Sequence, residues 1–144
     1  MHVAAVLKRK GNSVVTVRAS DAIADVARVL AQHRIGAVLV TDDSGRPAGI
    51  LSERDIVRAL AGDGRAALQR RASDLMTREI VTCQCTDTMA QVMALMTERR
   101  IRHLPVMDGD RVAGMISIGD AVKARLDDAE LEVESLRGYV AGLG

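Results

Sequence analysis

Apolar residues at Ile23, Val26, Ala27 and Leu30 fall at i, i+3, i+4 and i+7, and the same spacing recurs at Met89, Val92, Met93 and Met96. It predicts two amphipathic helices, each with one buried face. A short β-rich run precedes each, Val14 to Val17 or Ile80 to Cys83. A polar start follows the run, Ser20-Asp21 or Thr86-Asp87, suited to an N-cap and an acidic first turn. Beyond each helix lie two β segments around a turn: AVLV, TDDSGR and PAGILS in the first instance, HLPV, MDGDR and VAGMIS in the second. They predict a hairpin whose second strand runs into a helix beginning at Ser52 or Ser117. The order is therefore β-α-β-β-α, twice.

The two halves also share residues. Residues 15–35 and 81–101 are identical at Val15, Thr16, Asp21, Ala24, Val26, Arg34 and Ile35, and residues 46–59 match 111–124 at seven of 14 positions. About one or two identities per window would arise by chance, so the chain is a tandem duplication of a unit of about sixty residues. One copy has too little interior to be stable alone. The predicted fold class is α+β: tandem β-α-β-β-α repeats packed sheet against sheet as a pseudo-twofold pair, with a C-terminal helix. The expected organisation is a single module over 1–144, with repeat one at about 8–62, a linker at about 63–73, repeat two at about 74–126 and a helical extension at about 127–144. The linker stretch GDGRAALQRRAS has two glycines, several charges and no apolar period. Ile118 to Leu143 predicts one long helix with a partial apolar stripe at Leu126, Val133, Leu136, Val140 and Leu143. Covering the chain's own core is the first expectation for that stripe, and contact with another subunit the second. Residues 1–10 predict a short helix or arm.

Composition narrows the function. At 48% apolar and 27% charged residues, the chain has the balance of a globular protein, and its core must be Val, Leu, Ile, Met and Ala because there is no Phe or Trp and one Tyr. Net charge is +1, and the clusters KRK at 8–10 and RR at 70–71 and 99–100 are short. With no aromatic platform either, nucleic acid is excluded as the expected partner. No apolar run reaches the roughly 18 residues of a membrane span, and the N-terminal apolar stretch is too short for a secretory signal, so no membrane partner and a cytoplasmic location are expected. Cys83 and Cys85, two apart in a strand, point to one side and make poor disulfide partners; no metal site is expected. His2, His33 and His103 have no evident nucleophile beside them, and there is no P-loop or G-x-G-x-x-G, so catalysis is not expected.

The chemistry concentrates in two matching corners, GILSERD at 49–55 and GMISIGD at 114–120. S-x-x-D is close to a capping box, a purely structural reading. A helix start also favours anions, and a carboxylate there would repel a phosphate yet accept both hydroxyls of a ribose. A nucleotide is thus a chemically sensible ligand, with its sugar on Asp55 or Asp120.

These corners, the preceding RIGAVLV and RIRHLPV, and the doubled β-α-β-β-α order resemble a cystathionine-β-synthase (CBS) domain pair over roughly residues 8–126, of the stand-alone bacterial type. The resemblance implies a regulatory module whose two clefts hold adenosine-containing ligands such as AMP, ATP, NAD(H) or S-adenosylmethionine. It also implies a homodimeric disc and a regulated partner protein. A ligand-free dimerisation or protein-interaction module is the alternative. Carried over by position, the ribose contacts fall on Asp55 and Asp120 with Ser52 and Ser117. The adenine pocket falls on Thr16, Val17 and Ala19 in one copy and Thr82, Cys83 and Cys85 in the other. Phosphate contacts taken from the opposite repeat would give the Asp55 cleft Arg54, Arg102 and His103, but the Asp120 cleft only Gly119, Gly36 and Ala37. A phosphate should choose the first cleft; the second would take a neutral adenosine moiety, a nucleotide held by other groups, or nothing. Lys10 is expected to stay out of the first cleft.

Overall fold

A computed structural model describes residues 1–143. The elements of the first half are α1 (Val3–Lys10), β1 (Thr16–Arg18), α2 (Ile23–His33), β2 (Ala37–Thr41), β3 (Pro47–Ser52), α3 (Glu53–Asp63), a 3₁₀ turn (Gly64–Gln69) and α4 (Ala72–Leu75). Those of the second are β4 (Cys83–Gln84), α5 (Met89–Arg99), β5 (His103–Asp108), β6 (Arg111–Ser117) and α6 (Ile118–Leu143). The result is the α+β architecture of two β-α-β-β-α repeats and a C-terminal helix. The chain divides into two compact units: Val14–Val81, and Met1–Ser13 together with the chain from Thr82 onward.

Each unit has one three-stranded sheet, ordered β1-β2-β3 or β4-β5-β6. The first pair in each is parallel, with Val17 opposite Val40 and Cys83 opposite Val106. Parallel neighbours need a crossover, which α2 and α5 supply. The second pair is the predicted hairpin, and both hairpins shift register at the same place, after Val40 and after Val106. Val17, Ile23, Val26, Leu30, Val38, Val40, Leu51, Ile56 and Ala72 form the core of one unit. Their counterparts Cys83, Met89, Val92, Met96, Leu104, Val106, Ile116, Ala121 and Val3 are all buried in the other. The helix-face prediction holds, with Ala27 and Met93 at its half-buried margin. Both α2 and α5 end on an arginine in the left-handed region, Arg34 at φ 53° and Arg100 at φ 55°.

Three expectations are corrected. The helices start later than Ser20-Asp21 and Thr86-Asp87: the N-caps are Ala22 and Thr88. Asp21 and Asp87 instead close the turn after each strand, accepting from the Arg18 amide at 2.9 Å and the Gln84 amide at 2.8 Å. The stretch 63–73 is not a loose connection. It folds as the 3₁₀ turn and α4, and Ala67 and Ala72 are fully buried. Its contacts run through backbone and alanines, which leave no apolar period to read. The stripe on α6 does not cover the chain's own core: Leu126, Val133, Leu136 and Val140 are 46–65% exposed. The side chain of Leu143 lies outside the described residues.

The segment leading into each repeat packs on the other repeat's unit. The amides of Ile50 and Thr77 donate reciprocally to each other's carbonyls at 3.0 and 2.8 Å. The amides of Ala72 and Ser73 donate to the carbonyls of Asp21 and Ala19 at 2.8 and 2.9 Å. In the other unit, Val3 and Ala4 donate to Asp87 and Cys85 at 2.9 and 3.1 Å. Residues 1–7 therefore play the part of residues 70–76.

Candidate functional site

Both corners are built alike. At the start of α3, the Ser52 amide and hydroxyl donate to Asp55 Oδ2 at 2.9 and 3.0 Å, and the Asp55 amide donates to Ser52 Oγ at 3.3 Å. At the start of α6, the Ser117 amide donates to Asp120 Oδ2 at 2.9 Å and the Asp120 amide to Ser117 Oγ at 3.2 Å. The structural reading of S-x-x-D is thus correct, and it occupies only half of each carboxylate. Neither Asp55 Oδ1 nor Asp120 Oδ1 accepts a hydrogen bond among the described residues. The cap fixes each carboxylate through one oxygen and leaves the other as an acceptor, which is what a sugar hydroxyl requires.

The residue before each hairpin is tied to the corner of its own repeat: the Glu53 amide donates to the Gly36 carbonyl at 2.9 Å and the Ile118 amide to the Arg102 carbonyl at 2.8 Å. The register then sets Ala37 opposite Ser52 and His103 opposite Ser117. Within their units, Gly36 and Ala37 thus adjoin the Asp55 corner, and Arg102 and His103 adjoin the Asp120 corner. Arg54 lies exposed in the first turn of α3, and Arg102 is exposed as well. Of the adenine-pocket positions, Val17 and Cys83 have side chains in the cores, so their contribution to a ligand is confined to backbone. Thr16 and Thr82 are exposed, while Ala19 and Cys85 are half-buried. Ala19 has already committed its amide to Thr41 and its carbonyl to Ser73. Burial, then the charges of Asp87 and Cys85, push the Cys83 thiol up to about 12. It is a neutral core group at physiological pH.

Sequence reasoning missed Lys10. Its ammonium donates to Asp120 Oδ2 at 2.7 Å and to the Met115 carbonyl at 2.9 Å. The Asp120 corner, expected to gather no charge from Gly119, Gly36 or Ala37, receives one from α1. Arg9 pairs with Asp127 at 2.8 Å, so the KRK cluster is partly neutralised against α6. A cavity of about 120 Å³ lies beside them, lined in part by Val6, Arg9, Lys10, Asp120 and Lys123. This is below the roughly 300 Å³ at which small-molecule pockets usually begin. A second, open depression of about 480 Å³ lies between α2 and α3, lined by Leu30, Ile35, Ile56 and Val57 among others; Asp55 does not line it.

Burial alone would raise the pKa of Asp120, but the hydrogen bond from Lys10, the Ser117 amide and the Lys10 charge outweigh it and hold the carboxyl below its ordinary value. A group with a depressed folded pKa contributes stability above its unfolded value, about 3.9, and loses it as pH falls through the folded value. Lys10→Ala is therefore expected to destabilise the chain at neutral pH, with the gap to the parent narrowing as pH drops below about 4. Urea unfolding of both proteins across that range checks it. A gap independent of pH would show that the ion pair does not contribute.

The family model for the CBS domain matches this chain twice, at residues 4–62 and 72–127. The CBS domain-containing protein CBSX3, mitochondrial, of Arabidopsis thaliana is 33% identical over 145 residues, spanning 95% of this chain and 70% of that protein. The crystal structure of a CBS-domain containing protein from Agrobacterium tumefaciens is similar at TM-score 0.84 and 50% identity, over 86% of this chain and 92% of that one. The CBS domain pair of protein MJ0100, solved in complex with 5-methylthioadenosine and S-adenosyl-L-methionine, is similar at TM-score 0.77 and 25% identity, over 90% of this chain and 98% of that one. Among the described residues, no helix is long and apolar enough to cross a membrane.

Proposed function

This chain belongs to the CBS-domain family as a tandem pair, and from that premise we propose that it is a regulatory module that binds an adenosine-containing ligand. The observation that carries the reading is the half-committed carboxylate: Asp55 and Asp120 are each held by their own serine through Oδ2, with Oδ1 unbonded among the described residues. The ligands of the MJ0100 pair support the class, since both contain an adenosine with a vicinal diol. In this reading Asp55 and Asp120 accept the ribose hydroxyls. Backbone at Thr16, Val17, Thr82 and Cys83 meets adenine, and Arg54, Arg102 and His103 meet a phosphate or other charged tail. The Asp120 corner differs by its Lys10 counter-ion, which a ligand there must displace or share.

Regulation requires the ligand to favour one conformation or assembly over another, because equal affinity for both shifts nothing. Couplings of about 1–3 kcal/mol are enough to signal. Thermal melting against AMP, ATP, NADH and S-adenosylmethionine tests the reading, alongside mass spectrometry of small molecules released from the purified protein. At least one adenosine ligand is expected to raise the midpoint; silence in both experiments would refute it.

A further inference from the structure

Helix α6 continues past the packed core of its unit. Its first turns dock through Ala121 and Ala124, both buried, and its Asp120, Asp127 and Asp128 are bonded to Lys10, Arg9 and the amino group of Met1. From Ala129 to Gly142 every residue is exposed. An isolated helix of about 12–15 residues is marginal in water even with good helix formers, and this one contains Gly138 and Gly142. Such a segment needs a partner to hold it.

The spacing of its apolar residues points to one. Val122, Leu126, Ala129, Val133, Leu136, Val140 and Leu143 follow one another at intervals of 4, 3, 4, 3, 4 and 3. This is an unbroken a/d heptad pattern, with Leu126, Val133 and Val140 at a and Val122, Ala129, Leu136 and Leu143 at d. The residues bonded to α1 or to the amino group of Met1, or buried in the unit, Asp120, Ala121, Ala124, Asp127 and Asp128, all fall at b, c or f. The seam therefore faces away from the unit, as the 44–65% exposure of Val122, Leu126, Val133, Leu136 and Val140 confirms.

We infer that this seam is the interface of a parallel, two-stranded coiled coil between two copies of the chain. From Val133 onward the seam has valine at a and leucine at d, the combination that favours parallel dimers, whereas Leu126 at a and Val122 and Ala129 at d depart from it. The flanking charges agree. In parallel register, Arg125 at g faces Glu130 at e of the second copy, and Glu132 at g faces Arg137 at e, each pair occurring twice by symmetry. None of these four residues makes an ion pair within the described chain. The full-overlap antiparallel alternative sets Glu130 on Glu130, Glu132 on Glu132 and Lys123 on Arg137, all repulsive. Staggering the antiparallel register by one heptad one way retains only Glu130 with Arg137 and shortens the seam; the other way it pairs Lys123 with Glu130 and Arg125 with Glu132 but leaves Leu136, Val140 and Leu143 outside the seam. Leu131 lies off the seam and takes no part.

The inference does not depend on a ligand and is tested on the full chain without one, by light scattering and sedimentation at micromolar concentration. Leu136→Asp, at a position 65% exposed in the single chain, is expected to halve the measured mass while leaving the melting of the rest unchanged. Glu132→Arg and Arg137→Glu should each weaken the assembly several-fold, and the two together should restore it. The inference is overturned if the parent chain has the monomer mass of 15.4 kDa, or if Leu136→Asp keeps the parent mass. It is equally overturned if Arg137→Glu is rescued by Glu130→Arg rather than by Glu132→Arg, which would make the pair antiparallel.

Discussion

Gly49→Ala is expected to cost about 2–3 kcal/mol, or roughly 5–10 °C in melting midpoint, while Gly114→Ala, at the matching position of the other repeat, costs about 1 kcal/mol or less. Both glycines open the corner motifs, and both sit where the incoming arm crosses the hairpin. A Cβ on Gly49 would lie 2.7 Å from the Thr77 carbonyl oxygen and 2.7 Å from Met76 Sδ. Thr77 cannot retreat easily, because its amide and carbonyl are both bonded to Ile50. A Cβ on Gly114 would lie 2.6 Å from Leu7 Cδ2 and meets no backbone within its three nearest contacts. Leu7 can turn its end away, at the cost of some packing in a buried site. Denaturant and thermal unfolding of the two variants measure the difference. Equal losses would mean that the close backbone approach at Thr77 is not what keeps residue 49 a glycine.

The same pair of positions shows how far the sequence could be read. Periodicity at Ile23, Val26 and Leu30, and its return at Met89, Val92 and Met96, is a direct record of burial, so the helix faces and the duplication were legible. The arms were not. Val3, Val6 and Leu7 correspond to Ala72, Leu75 and Met76, three positions in the same spacing but with no shared residue and too short for a period to declare itself. Matching that spacing against the glycines they pack on would have been the available signal. Helix starts were misplaced by two residues because aspartate serves equally well as a cap and as a turn acceptor; Asp21 and Asp87 took the second role. At the site, Ser52, Asp55, Ser117 and Asp120 were legible since their bonds are local. Lys10 reaches Asp120 across 110 positions, and no spacing rule encodes such a pair. The stripe on α6 was visible as a stripe. Which way it faced depended on Asp120 and Asp127 finding α1 and Asp128 finding the amino group of Met1, a tertiary fact.

Asp55 is where the structural and the ligand-binding roles of the corner separate experimentally. Asp55→Ala removes the acceptor for both the amide and the hydroxyl of Ser52, and loss of a helix-start partner of this kind costs about 1 kcal/mol. It also removes the unbonded Oδ1, and hydrogen bonds to a charged acceptor contribute about 1.5–3 kcal/mol each. Affinity for an adenosine ligand is therefore expected to fall by roughly 10- to 100-fold. Asp55→Asn distinguishes the two effects: its carbonyl can still accept from Ser52, so the helix start is largely kept. Its amide then stands where Oδ1 was, a donor without charge facing the diol. Asparagine is expected to melt near the parent yet bind about as poorly as alanine. Calorimetric titration with whichever ligand raises the midpoint, set beside the unfolding curves, reads both quantities. If asparagine binds like the parent, the carboxylate is not the sugar contact. If alanine loses stability and no adenosine ligand binds the parent at all, the corner is a helix cap and the protein an assembly module.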